Sequence, residues 1–527
     1  MIYIFLLFFS FSVLSANPNN DKQQKVDFQI NKFKDLVNTA AKNHADSIDI
    51  EKASDAAFKA FMQSLDKQSF YFTKEEFTKV NQQTQGSKLG LGLSLIVDSN
   101  KVIIYDVTEN SQADSLGIKQ GDVLISINDV TLANKPPNTI DSLKNGENLS
   151  TASLLIKKPN GDEIRYNIQR KSLLIKSVKA YFLVQNTDIA YLKLSRFTKH
   201  TFDELTNSLD ILEKNGMGKL IIDLRQNTGG LLEQAYQTAS LFLDSNKIIT
   251  KTQATNPKYS INYKTEKKGK YSKIPIIIII DEKTASSSEI FTAALQENDR
   301  ATVLGTNSYG KGSVQNTWNF KDSSAFRMTV AKYLTPLGRS LEKNYEPNKK
   351  QISEEIKLNN SKETIDQIVE NLNRFGGKSK LDLKYTKNGK MIIDENGIFP
   401  DQYQKKDTLT LLTKVYKNNK YFHIFVYQYL TNLKDSLLAN YKNGTDFSIN
   451  FNLPNSIIQD FANYSHKKGY FKKEMFIKDK TYIYYHIKAR IADALWGDNA
   501  YYYNELQPDS QIINAVKIFN KASERKK

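Results

Sequence analysis

Residues 276–315 read IIIIIDEKTASSSEIFTAALQENDRATVLGTNSYGKGSVQ. Five consecutive isoleucines, β-branched throughout, predict a short strand buried on both faces. The run ends in Asp281 and a Thr/Ser cluster that opens a helix, and a glycine-flanked lysine comes next at Gly310-Lys311-Gly312. A hydroxyl at a strand-to-helix turn stands at the edge of the sheet, beside the free N–H groups of the new helix. Such groups stabilise a developing oxyanion. The same residues also have a plainer meaning. Ser286-Ser-Ser-Glu289 is a capping box, in which serine and glutamate merely start a helix.

The lysine loop invites a false lead. Gly305-x4-Gly310-Lys311 fits most of a phosphate-binding P-loop, which would make the chain an NTPase. A P-loop needs Ser or Thr directly after the lysine and a helix whose N-terminus faces the phosphates. Here Gly312 comes after it, and SVQNTWNF then alternates like a strand. A lysine held between glycines on a tight loop can instead be buried. Desolvation favours its neutral form, which is a capable general base for a serine hydroxyl.

Working outward, residues 219–230 (KLIIDLRQNTGG) combine a strand, a Gly-Gly turn and the start of a helix. The turn is either a plain βα connection or a backbone N–H lining a site. Strand and helix patterns alternate from about 187 to 335, which predicts an α/β layer with a largely buried sheet. Residues 86–170 differ, with short alternating strands, the hairpin signal Asn160-Gly161, and LGLGL at Leu89-Gly90-Leu91-Gly92-Leu93. Alternating glycines free successive N–H groups to cradle a carboxylate, and the adjoining strand edge can pair with an extended peptide. Residues 26–85 and those from 406 onward carry helical spacing, 341–380 are polar and loop-rich, and a second hairpin is expected around Asn388-Gly389.

Composition removes other classes. The 527 residues include no cysteine, which excludes zinc fingers, disulfide frameworks, thiol catalysis and iron–sulfur clusters. The formal charge of +17 comes from lysines scattered along the whole chain, without a basic arm, so no nucleic-acid partner is expected. The five histidines (His44, His200, His423, His466, His486) form no metal-binding motif, and none lies in the Gly- and Ser-rich loops to serve as a local base. A Ser-His-Asp arrangement drawn from distant parts of the chain stays open. Residues 2–13 are almost wholly apolar and are followed by Ser15 and Ala16. This suits a secretory signal better than a span, which needs roughly 20 residues. The expectation is an exported, periplasmic protein without a stable transmembrane span, membrane-associated where the signal stays uncleaved.

Taken in order and spacing, these pieces resemble the C-terminal processing peptidases, or tail-specific proteases, of exported bacterial type, over about residues 85–405. LGLGL…VTENSQADSLGIKQGDVLISINDV looks like their PDZ domain; LIIDLRQNTGG, TASSSE, YGKGSVQ, YLTPLGRSL and GIFPD look like their protease core. The resemblance implies a multidomain α+β chain. A PDZ β module and an α/β serine-protease core, with ClpP/crotonase-like layering, are flanked by helical regions. The expected boundaries are 1–16 signal, 17–85 helical, 86–172 PDZ, 173–405 protease core and 406–527 helical. By the same resemblance Ser286 is the nucleophile, in a motif where Thr284 and Ser287 depart from the family's serine and alanine. Lys311, 25 residues on, is the base, with Gln315 orienting it. The Gly230 and Ser287 N–H groups are the oxyanion donors, and Leu89 to Leu93 bind a substrate C-terminus. Glu289 takes a supporting structural role, and Glu297 stands where some members carry an aspartate. No cofactor or metal is implied. The partners are protein or peptide substrates, with a periplasmic adaptor left open. The rival reading is a catalytically inactive PDZ scaffold that tethers exported proteins.

Overall fold

The computed structural model describes residues 18–98, 100–146, 149–342, 383–394, 397–430 and 433–524. The expected signal (1–16) and nearly all of the polar stretch 341–380 lie outside the described residues. The described residues fall into two units, those within 1–75 and 317–328 and those within 76–316 and 329–527.

In the first unit two helices, Pro18–Asn43 and Ile50–Leu65, precede a short strand, Phe70–Phe72. Asp49 starts the second helix by accepting the Lys52 N–H at 3.0 Å. The strand pairs antiparallel with residues 325–327, and Tyr71 ties it to that helix through a 2.7 Å bond to Asp55.

The second unit begins with the β module. Strands Leu93–Asp98, Lys101–Val107, Val123–Ile127, Thr151–Lys157 and Glu163–Gln169 form an antiparallel path in that order. Burial alternates along Thr151–Lys157, so Ala152, Leu154 and Ile156 face the core with Ile104, Leu124 and Ile168. Leu93–Asp98 is an edge strand of this sheet.

The central sheet runs Val178–Leu183, Ile189–Leu194, Lys219–Asp223, Ile276–Ile280, Ala301–Gly305, Gln402–Tyr403. Its first pair is antiparallel and the rest are parallel. The isoleucine run explains the layering. Ile276, Ile278 and Ile280 pack under helices Thr201–Lys214, Leu232–Ser240 and Ser287–Glu297, whereas Ile277 and Ile279 face the other way. That second face is covered by the end of the chain, with Leu506, Ile512, Ala515 and Phe519 packed on it. The sheet is therefore the middle of three layers, and the isoleucine strand is apolar at every position because neither face meets water. The expected hairpin is present as Leu383–Tyr385 paired with Met391–Ile393. Between the hairpin and the final helix lies a helical body with an aromatic centre, where Phe422 and Phe461 stack at 4.8 Å. Among the described residues, no helix is long and apolar enough to cross a membrane.

Three neighbouring parallel strands end at Asp223, Ile280 and Gly305, so the turns after them gather at the carboxyl edge of the sheet, where α/β folds place their sites. Truncating the wholly buried Ile279 to alanine is expected to cost about 2–5 kcal/mol of unfolding free energy in urea titrations. The same change at Ile211, 42% exposed, should cost under about 0.5 kcal/mol.

Candidate active site

Ser286 sits at the junction of the isoleucine strand and the helix Ser287–Glu297, with φ +57° and ψ −119°. A non-glycine residue at positive φ is costly, and such strain persists only where the surroundings over-determine it. The turn before it is bonded throughout. Thr284 Oγ1 donates to Leu224 O at 3.0 Å, and the Ala285 N–H donates to Asn227 O at 3.0 Å. Ser286 is half-buried, so its hydroxyl remains within reach of solvent or substrate.

Glu289 ties the serine turn to the lysine loop. It lies in the first turn of the helix, wholly buried, and its carboxylate accepts from the backbone N–H of Ser286 at 2.7 Å. That is the glutamate half of the capping box. The other bonds to this carboxylate come from the lysine loop: the Gly310 N–H at 2.7 Å, the Lys311 N–H at 2.9 Å and the Ser308 hydroxyl. Ser286 and Lys311 donate to the same oxygen, Oε2, so their backbone nitrogens are no further apart than those two bonds laid end to end. Tyr309 adds a backbone bond to Thr284 O at 2.9 Å. In the sequence, family pattern alone brings Ser286 and Lys311 together. In the fold, a buried carboxylate joins their backbones.

The turn after Asp223 supplies the third element. Gly229 has φ +94°, and a Cβ there would meet Ala285 O at 2.6 Å and Ser286 Cβ at 2.9 Å. At Gly230, φ is +150° and a Cβ would lie 1.9 Å from Phe197 O. Only glycine lets this turn lie flat against the serine. Ser287 Oγ fastens it by donating to Gly230 O at 2.8 Å. Among the described residues neither the Gly230 nor the Ser287 N–H donates a hydrogen bond, and Gly230 is exposed. Gln315 lies on the strand Ser313–Asn319 that leaves the lysine loop, and its amide nitrogen donates to Ser313 Oγ at 2.8 Å and Ser313 O at 3.1 Å. Its amide oxygen is its remaining acceptor. Lys311 leads into that strand, not into a helix, so the loop lacks the helix terminus a P-loop requires.

Glu297 is not at the site. It pairs with Arg339, both wholly buried, and accepts the Leu337 N–H at 2.8 Å. No histidine enters the hydrogen bonds around Ser286 among the described residues. His486 is bonded to Glu505 in the C-terminal helices. In the β module, Leu89 and Gly90 close the strand Ser87–Gly90, while Leu91 and Leu93 are buried. Gly92, at φ +81°, has Ser111 where a Cβ would go, and among the described residues the Leu91 and Gly92 N–H groups donate no hydrogen bond.

Three participants escape a reading of the sequence. Asn227, buried in the turn after Asp223, clasps Leu194 O through its amide nitrogen, the Gly229 N–H through its amide oxygen, and Ala285 and Ser288 through its carbonyl. Ser308 has no signal beyond that of an ordinary loop serine. Asp223 offers one, a carboxylate ending an otherwise apolar strand with Arg225 two residues on, but Arg225's second carboxylate, Asp509, lies far along the chain.

The fold and site thus combine an antiparallel module bearing an open glycine loop with a three-layer α/β core that sets a strained serine beside a lysine loop. Comparison with known proteins narrows this: residues 188–352 match the model of peptidase family S41, and residues 78–156 match that of the PDZ domain. Residues 411–497 match a family of unknown function, DUF8443. A probable CtpA-like serine protease of Staphylococcus haemolyticus (strain JCSC1435) is 30% identical over 55% of this chain and 58% of its own length. The carboxy-terminal processing protease CtpA of Bacillus subtilis (strain 168) is 29% identical over 63% and 70%. The chain thus spans less than two thirds of the staphylococcal relative. Among solved structures, a photosystem II D1 C-terminal processing protease aligns at 20% identity over 59% of this chain and 89% of its own, with a TM-score of 0.34.

Burial raises the Glu289 carboxyl to about 7, against the hydrogen bonds from Ser308, Lys311, Gly310 and Ser286 that pull it down. Its folded-state value lies above its ordinary 4.5, so its contribution to stability is full below about pH 4.5 and is lost as the pH rises through about 7. The unfolding free energy of wild type minus that of Glu289→Gln should therefore fall by about 3 kcal/mol from about pH 4.5 to about pH 8 in parallel urea titrations.

Proposed function

We infer that the chain is a serine endopeptidase using a Ser-Lys mechanism on substrates presented by their C-termini. The observation that carries this is the shared Glu289 carboxylate, which holds the backbones of Ser286 and Lys311 side by side. Neutral Lys311 takes the proton of Ser286 Oγ as the oxygen attacks the scissile carbonyl. The tetrahedral oxyanion is met by the N–H groups of Gly230 and Ser287, neither of which donates elsewhere among the described residues. Lys311 then gives its proton to the leaving amine, and a water repeats the sequence on the acyl-enzyme. Gln315 presents its amide oxygen to the lysine.

The glycine loop Leu89–Leu93 would take the substrate carboxylate on the N–H groups of Leu91 and Gly92, and the edge strand Leu93–Asp98 would pair with the residues before it. The relatives' names, carboxy-terminal processing and CtpA-like serine protease, agree with this reading. Export to the periplasm rests on the apolar residues 2–13.

A labelled peptide with an apolar C-terminus should be cut by wild type, with turnover lowered on the order of 10⁴- to 10⁶-fold in both Ser286→Ala and Lys311→Ala. Full turnover in Lys311→Ala overturns the mechanism. Binding without cleavage by wild type would favour the scaffold. Amidation of the peptide's C-terminus should raise KM with little change in kcat; equal rates for acid and amide at low concentration would remove the PDZ from substrate capture.

A further inference from the structure

At the carboxyl edge of the central sheet, next to the glycine turn, lies a cluster of four charges, with Asp223 and Lys193 buried and Arg225 and Asp509 partly so. Asp223 accepts from Tyr191 OH at 2.8 Å, from Lys193 Nζ at 3.1 Å and from the Arg225 guanidinium, whose shortest bond is 2.7 Å. Burial works against the Asp223 carboxylate, but Arg225 and Lys193 outweigh it and hold the group well below the usual carboxylate range. Lys193 also donates to Arg225 O at 2.6 Å, fixing the backbone where the turn begins. One carboxylate faces two cations, so a second anion is needed. It comes from the far end of the chain: Arg225 Nη1 donates to Asp509 Oδ2 at 2.7 Å and to Gln511 Oε1 at 2.9 Å.

Asp509 divides its two oxygens. Oδ1 accepts the Gln511 and Ile512 N–H groups at 2.9 and 3.2 Å and so starts the last helix, Ser510–Glu524. Oδ2 is given to Arg225. The five residues after Arg225 are fastened on the opposite side to the serine turn: the Gln226 N–H to Asp281 at 2.9 Å, Asn227 to Ala285 and Ser288, and Gly230 O to Ser287. The turn is thus gripped from both ends, by the serine turn and by the C-terminal helix.

We propose that Asp509 is a positioning residue for the oxyanion turn, so that docking of the C-terminal helix on the sheet sets the Gly230 N–H through Arg225. This rests on the reading of that N–H as an oxyanion donor. A turn released at Arg225 moves its donor relative to the place where the oxyanion forms, and small displacements of that kind lower kcat while leaving ground-state binding intact. Asp509→Asn separates this role from the helix cap, because asparagine caps as well as aspartate but brings no anion to the guanidinium.

In the full-length chain, Asp509→Asn should lower kcat on the order of 10- to 100-fold without changing KM, and Asp509→Glu should recover part of the loss. Hydrogen–deuterium exchange at the amides of 226–230 should quicken in Asp509→Asn, with exchange of the PDZ strands unaltered. Unchanged kcat, or unchanged exchange at 226–230, overturns the proposal. Exchange does not depend on turnover: a wild type without Ser286-dependent cleavage would sink the peptidase reading, while the exchange data would still judge the latch. Should Asp509→Asn fail to fold, Gln511→Met, which removes Arg225's other acceptor at that helix, is read by the same two measurements.

Discussion

The site depends on one buried carboxylate. Glu289 has no access to water, and the groups that replace it are N–H and O–H donors from two turns well separated in the chain. An ionised carboxyl in that position is tolerable only while those donors point at it, and the donors are held in place only while it is there. Burial raising its proton affinity and hydrogen bonds lowering it are two descriptions of the same tension. The consequence for function is geometric. A strained serine cannot hold its backbone at positive φ by itself, and a glycine-flanked lysine has little preference of its own, so both are fixed by a third group that belongs to neither.

TASSSE is a helix cap in its bonds, and those bonds reach further than a cap needs. Glu289 accepts the N–H of Ser286, as a capping box requires, yet it spends its other lone pairs on the lysine loop. An ordinary cap satisfies a helix end. This one satisfies a helix end and a second loop at once, which explains why a glutamate is placed where burial is complete.

Much of the fold was legible because its strongest signals are local. The isoleucine run, the alternation along 151–157 and the Asn-Gly turns each specify a strand or hairpin within ten residues, and the structure has them. Ser286, Lys311 and Gly230 were named from a family pattern, and the structure puts all three on loops that come after parallel strands at the carboxyl edge of the sheet. Gln315 was also placed by pattern, but its amide nitrogen turns to Ser313, a choice made by side-chain packing that spacing does not encode. What could not be read were pairings between distant segments. Asp223 and Arg225 stand two residues apart and pair locally, but nothing near Arg225 announces Asp509 almost three hundred positions later. The final helices looked like a separate flanking domain for the same reason. Their apolar residues fit any helical body, and only the structure shows them lying on the second face of the sheet.

That placement changes how the chain's length is understood. A parallel sheet with five isoleucines in one strand needs both faces covered, and the helices between its own strands cover only one. The second cover must come from outside the alternating βα pattern, and here it is the last stretch of the chain. That cover reaches the turn after Asp223, where Arg225 meets a second carboxylate, Asp509, at the start of the final helix. The pairing balances the charges where they are largely removed from water: Lys193 and Arg225 face Asp223 and Asp509, so neither cation is left without an anion. The cover of the sheet and the turn at its carboxyl edge are thus joined through one ion pair.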